Sequence, residues 1–172
     1  PAMVGLGMLA APLVRILTGP EYHQGAWIIP IVVLGAFFFG LQQRFQIGLL
    51  FYKKTYVIMG SVAAAGIFNL GLNLLLIPGY GYMAAAYITL LSYILLLALM
   101  VFLSRRYFVW EFPMGSLLRI LAASVLMGLV LLLLERASPI LGVGSLLVRI
   151  GVGVIAYACA LLLLKEFRES EI

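Results

Sequence analysis

Polar side chains inside apolar helices are the residues of this chain best placed to do chemistry, because each one is costly to hold in hydrocarbon. The densest group is Gln42-Gln43-Arg44-Phe45-Gln46. On a helix at 100° per residue, Gln42, Gln43 and Gln46 share one broad face, and Arg44 falls on a separate stripe with Ala36, Gly40 and Gly48. Two readings of Arg44 stay open. It precedes Lys53 by about nine residues, or roughly 13 Å of helix, so its side chain can stretch to a membrane surface. Alternatively it faces a hydrated cavity, where the guanidinium fork suits phosphate oxygens.

A second group is Gly66, Asn69 and Asn73, spaced to lie along one helix face. Asparagines four apart bridge to a neighbouring helix or line a polar passage. Ala85, Thr89 and Ser92 make a further stripe, read most simply as close packing. Arg119 and Arg149 sit near helix ends and are expected to reach for the interface.

Titratable chemistry is sparse. The sequence has a single His, no Asp and six acidic residues, all Glu. Glu21, Glu111, Glu135, Glu166, Glu169 and Glu171 lie in turns or the tail, and His23 has no neighbour suited to metal binding. No Gly-rich loop runs into Lys-Ser or Lys-Thr, so nucleotide hydrolysis is unsupported. Cys159 is alone in an apolar run, a small hydrophobe without a disulfide partner. These residues point away from an enzyme and require no cofactor or metal.

The elements that must position them follow from composition. Of 172 residues 65% are hydrophobic and 10% charged, with a mean hydropathy of +1.20; soluble domains carry about 25% charged residues. A spanning helix needs about 20 apolar residues, and the sequence holds six apolar stretches. The expected fold class is all-α, a polytopic bundle of six transmembrane helices at about 3–17, 26–51, 56–77, 82–103, 114–134 and 145–164. Gly19-Pro20 and Pro78-Gly79-Tyr80-Gly81 are expected to stop helices one and three, and Glu21 to Gln24 to form a polar turn. Pro30 is expected to kink helix two from inside, and Pro113 to sit in the first turn of helix five. The organisation reads as three hairpins.

Basic residues are distributed unevenly. Lys53, Lys54, Arg105, Arg106, Arg119, Lys165 and Arg168 fall on one side of an alternating topology, and Arg15, Arg136 and Arg149 on the other. The bias places both termini in the cytoplasm. Tyr52, Tyr56, Tyr107 and Trp110 mark the same border as an aromatic belt. The net charge of +5 is thus topological, and nucleic acid is not an expected partner.

Taken in order, Leu17-Thr18-Gly19-Pro20-Glu21-Tyr22, Ala26, Ile29-Pro30-Ile31, Lys53-Lys54-Thr55, Asn69-Leu70-Gly71-Leu72-Asn73 and Ile77-Pro78-Gly79-Tyr80-Gly81 resemble the C-terminal half of a polysaccharide flippase. That family is the O-antigen and capsule type within the multidrug/oligosaccharidyl-lipid/polysaccharide exporter superfamily. The resemblance covers about residues 12–107; helices five and six match only in kind. The family usually has Gly-Ala-Ala after the proline turn, where this chain has Ala84-Ala85-Ala86.

The resemblance implies that this chain is a fragment, most of the second lobe of a two-lobed transporter in the inner (cytoplasmic) membrane. It implies alternating-access flipping of an undecaprenyl-pyrophosphate-linked oligosaccharide, with that substrate, the N-terminal lobe and membrane lipids as partners. The candidate cavity residues are then Arg44, Gln42, Gln43, Gln46, Asn69 and Asn73. A cation-coupled multidrug antiporter of the same superfamily and a non-transporting membrane scaffold are the competing expectations. Half a cavity exposes one wall to lipid, so transport by this chain alone is not expected.

Overall fold

The computed structural model describes residues 1–107, 114–137 and 142–164. Trp110, Glu111, Pro113, Lys165, Glu166, Arg168, Glu169 and Glu171, which carry several of the expectations above, lie outside the described residues. Within them the chain is helical, with no strand: α1 (Ala2–Leu17), a 3-10 segment (Pro20–Trp27), α2 (Ile28–Phe51), α3 (Thr55–Tyr80), α4 (Tyr82–Ser104), α5 (Met114–Ala137) and α6 (Val143–Leu163). Five stretches, ending at Phe51, Tyr80, Ser104, Arg136 and Leu163, are long and apolar enough to cross a membrane. The chain is a multi-pass membrane protein. α1 has only 16 residues, about 24 Å of helix against roughly 30 Å of hydrocarbon, so it falls short of a straight span.

Three local expectations are corrected. The polar turn after Pro20 is a 3-10 helix of eight residues. Because α2 therefore begins at Ile28, Pro30 is its third residue rather than an interior one. The 3-10 segment runs directly into α2, with Ile28 N–H donating to Gly25 O, so Pro30 sits where the 3-10 turn passes into the α-helix. Helix three runs through Pro78 and ends only at Gly81. Gly81 adopts φ 66 and ψ −158, a region open essentially to glycine alone, and its N–H donates to Ile77 O at 2.8 Å. A connection of one residue between α3 and α4 demands that conformation. Glycine, not proline, sets the boundary.

The chain divides into two compact units, residues 1–30 with 112–172 and residues 31–111. Two of the expected hairpins, α3–α4 and α5–α6, each pack within one unit, whereas α1 packs with α5 and α6. There, a Cβ on Gly128 of α5 would come within 3.1 Å of Val4 Cγ1 and 3.5 Å of Met8 Sδ. Gly153 of α6 meets Leu131 in the same way at 3.4 Å. Lipid tails are as apolar as leucine, so helices associate through close fit rather than exclusion from water, and glycine permits that fit.

In the other unit, α2, α3 and α4 share a core of Phe45, Leu49, Val57, Ile58, Ala65, Leu96 and Met100. Leu49 and Met100 are wholly buried. Gly35 brings α2 toward α4, where a Cβ would lie 3.3 Å from Tyr93 Cδ2. Nearer the chain's middle, Phe39 rests on the Tyr93 ring with centroids 5.1 Å apart. These two contacts and the Phe45–Leu49 core flank a gap that apolar side chains leave unfilled.

Candidate functional site

That gap is a cavity of about 450 Å³ bounded by three helices. α2 supplies Phe39, Gln42 and Gln46; α3 supplies Val62, Ala65, Gly66 and Asn69; α4 supplies Thr89, Ser92, Tyr93 and Leu96. Within each helix these residues recur every three or four positions, with Ala65-Gly66 and Ser92-Tyr93 as adjacent pairs, so each helix contributes one face. The wall is mixed by construction, since every one of these faces interrupts an apolar run with amides or hydroxyls.

A directed hydrogen-bond chain stiffens one side. Asn73 Nδ2–H donates to Asn69 Oδ1 at 2.9 Å, Asn69 Nδ2–H donates to Ser92 Oγ at 3.0 Å, and Ser92 O–H ends the chain on Ile88 O at 2.7 Å. The Asn69–Ser92 bond joins α3 to α4, as expected for an asparagine on a packed face. Thr89 satisfies its own hydroxyl on Ala85 O at 2.8 Å. Thr89 and Ser92, read from sequence as packing residues, therefore also line the polar cavity. Their signal was small hydroxyl residues three apart in the middle of a largely apolar helix.

Two acceptors are left over. Gln42 is 2% exposed, yet its Oε1 is buried with no hydrogen-bond partner, and so is Asn73 Oδ1. A buried carbonyl in this condition costs about 1–3 kcal/mol. Gln42 lines the cavity directly, with Gln46 one turn along on the same wall. The arrangement places one unpaired acceptor, Gln42 Oε1, at the cavity wall, which favours a donor such as a hydroxyl group.

The six sequence candidates do not converge. Gln42, Gln46 and Asn69 line the cavity, and Asn73 joins through its bond to Asn69. Gln43 and Arg44 are exposed and are not among the lining residues, being about 100° and 200° around α2 from Gln42. Arg44 shares its exposed stripe with Ala36 and Gly40.

Arg149 departs from its expected reach to the interface. It is 5% exposed, and its Nη2–H donates to Leu134 O at 3.2 Å. α5 ends at Ala137, so Leu134 belongs to the last four residues, whose carbonyls lack an intrahelical donor. Arg149 also lies at an apolar groove of about 370 Å³ shared by α1, α5 and α6. His23, in the 3-10 segment, is half-buried with Nε2 unpaired.

Set against protein-family models, curated proteins and solved structures, the chain matches none of them.

Proposed function

We propose that this chain is part of a flippase that carries a lipid-linked oligosaccharide across the cytoplasmic membrane by alternating access, the lipid being undecaprenyl pyrophosphate. The observation that carries the reading is the cavity among α2, α3 and α4, with Gln42 Oε1 buried and unpaired at its wall. A glycan crosses hydrocarbon only if its hydroxyl groups exchange water for other partners. Amides and hydroxyls fixed on packed helices supply them without introducing a charge. The residue pattern shared with polysaccharide flippases supports the same substrate class.

Arg44 takes a separate role in this proposal. It faces away from the sugar-contacting wall, so it meets the pyrophosphate outside this cavity, on the exposed stripe of α2. Sugar contact and charge neutralisation then fall to different faces of one helix.

The test is glycan export by the full-length protein in a host lacking its own flippase. Gln42→Leu combined with Asn69→Leu should lower surface glycan about ten-fold, the equivalent of losing ~1.4 kcal/mol of hydrogen bonding, at unchanged membrane abundance. Arg44→Glu should abolish export and Arg44→Lys restore part of it. Full export by all these variants would reject the reading. Altered drug sensitivity with intact glycan export would assign the chain to multidrug antiport instead.

A further inference from the structure

At the end of the second unit where α3 begins and α4 finishes lies a groove of about 390 Å³. Its floor is mostly apolar, made by Val57, Gly60, Ser61 and Ala64 of α3 with Leu99 and Leu103 of α4, the Ser61 hydroxyl donating to Val57 O at 2.8 Å. A Cβ on Gly60 would meet nothing within 4 Å, so the groove is open there. Its mouth has the opposite character. Arg106, Tyr56 and Tyr107 line it, and Lys54 Nζ stands 5.1 Å from the Tyr107 ring centroid and 5.9 Å from that of Tyr56.

The two phenol oxygens are 2.8 Å apart in a hydrogen bond. Two hydroxyls own two protons and their mutual bond uses one. Whichever phenol donates, one O–H is left for an outside acceptor. Lys53, Lys54, Arg105 and Arg106 gather at this same end, and residues 31–107 contain no Asp or Glu. Residues 31–107 therefore hold no acid to balance these cations. Charge complementarity calls for an anion, and the apolar floor running into the span calls for a chain attached to it.

We propose that this groove binds an anionic glycerophospholipid, its phosphodiester held by Arg106, Lys54 and the free phenol proton, with an acyl chain along Gly60, Ala64, Leu99 and Leu103. A basic side chain near an anionic headgroup contributes about 1 kcal/mol, or roughly five-fold in affinity. The site is distinct from the glycan cavity and does not depend on the transport reading.

Native mass spectrometry of the purified full chain in a neutral detergent tests it, with phosphatidylglycerol and phosphatidylcholine of identical acyl chains as probes. The wild type should retain phosphatidylglycerol at least about five-fold more than phosphatidylcholine, and Lys54→Gln and Arg106→Gln should each lower phosphatidylglycerol retention about five-fold. Tyr56→Phe with Tyr107→Phe keeps both rings and should weaken binding, whereas Lys54→Arg with Arg106→Lys should preserve it. These two pairs decide the matter if the glutamine variants fail to fold. Equal retention of both lipids by the wild type would overturn the proposal. So would an equal loss on changing Arg15 and Arg136 to Gln in the other unit, or displacement of the lipid by inorganic phosphate at matched concentration.

Discussion

Arg149 and Leu134 are joined across the α5–α6 contact, the buried guanidinium donating to a carbonyl that the end of α5 leaves unmatched. The C-terminal end of a helix carries a partial negative charge, so the cation and the helix dipole favour each other as well. Replacing Arg149 by Ala should destabilise the protein by about 1.5–3 kcal/mol, the range for a hydrogen bond to a charged group. Lys should recover part of this, as a point charge without the fork. Arg15→Ala, at an exposed position, should shift stability by no more than about 0.5 kcal/mol. Unfolding in mixed micelles measures all three, and equal stability of the Arg149→Ala variant and the wild type would contradict the capping role.

Asn69 couples α3 to α4 through Ser92 and is itself held by Asn73. A double-mutant cycle of Asn69→Ala and Ser92→Ala should return a coupling of roughly 0.6–1.7 kcal/mol, the span found for hydrogen bonds between membrane helices. Asn73→Ala should weaken that coupling, since it frees the Asn69 amide to rotate. A cycle that closes at zero would mean the bond adds nothing beyond packing.

The reach of sequence here can be traced residue by residue. Apolar run lengths located all six helices, because hydrocarbon thickness imposes a length that composition records directly. Pro30 was placed deep inside helix two because nothing in the sequence marks the residues before Ile28 as a 3-10 segment rather than α-helix. Gln42 and Gln43 looked equivalent, as neighbours on a broad polar arc. Only the packing of Phe45 and Leu49 into the core fixes which side of α2 turns inward. Arg149 looked like a surface cation because its acceptor, the Leu134 carbonyl, is a backbone group exposed by the end of another helix and has no signature in sequence.

Gly81 is the one glycine with positive φ among the described residues, and its conformation closes the α3–α4 connection in a single residue. Gly81→Ala should cost about 1–3 kcal/mol, the strain of placing a Cβ in a region reserved for glycine. Gly79→Ala should cost nothing comparable and is even favoured by helix propensity, since Gly79 lies within α3 with open space at its Cβ position. Thermal unfolding of the pair discriminates. Similar losses for both would place the boundary constraint at Pro78 rather than at Gly81.

Tyr107 holds its proton more tightly than an ordinary phenol, whose value is 10.0, because it shares a hydrogen bond with Tyr56, reinforced by partial burial and by the charge of a second phenolate beside it. Lys54 and Arg106 oppose the shift without cancelling it. A group with a raised folded-state value stabilises the fold fully below its unfolded value and loses that contribution as pH climbs through the folded one. The end of the α3–α4 hairpin should therefore loosen only above about pH 10, the unfolded phenol's value. In Tyr56→Phe the hydrogen bond is gone while Lys54 and Arg106 still favour the phenolate, so Tyr107 should ionise at lower pH than in the wild type. Phenolate absorbance, read as the difference between wild type and the Tyr107→Phe variant in each background, reports this directly. An unchanged Tyr107 titration in Tyr56→Phe would show that the two hydroxyls are not hydrogen-bonded in the membrane-embedded protein.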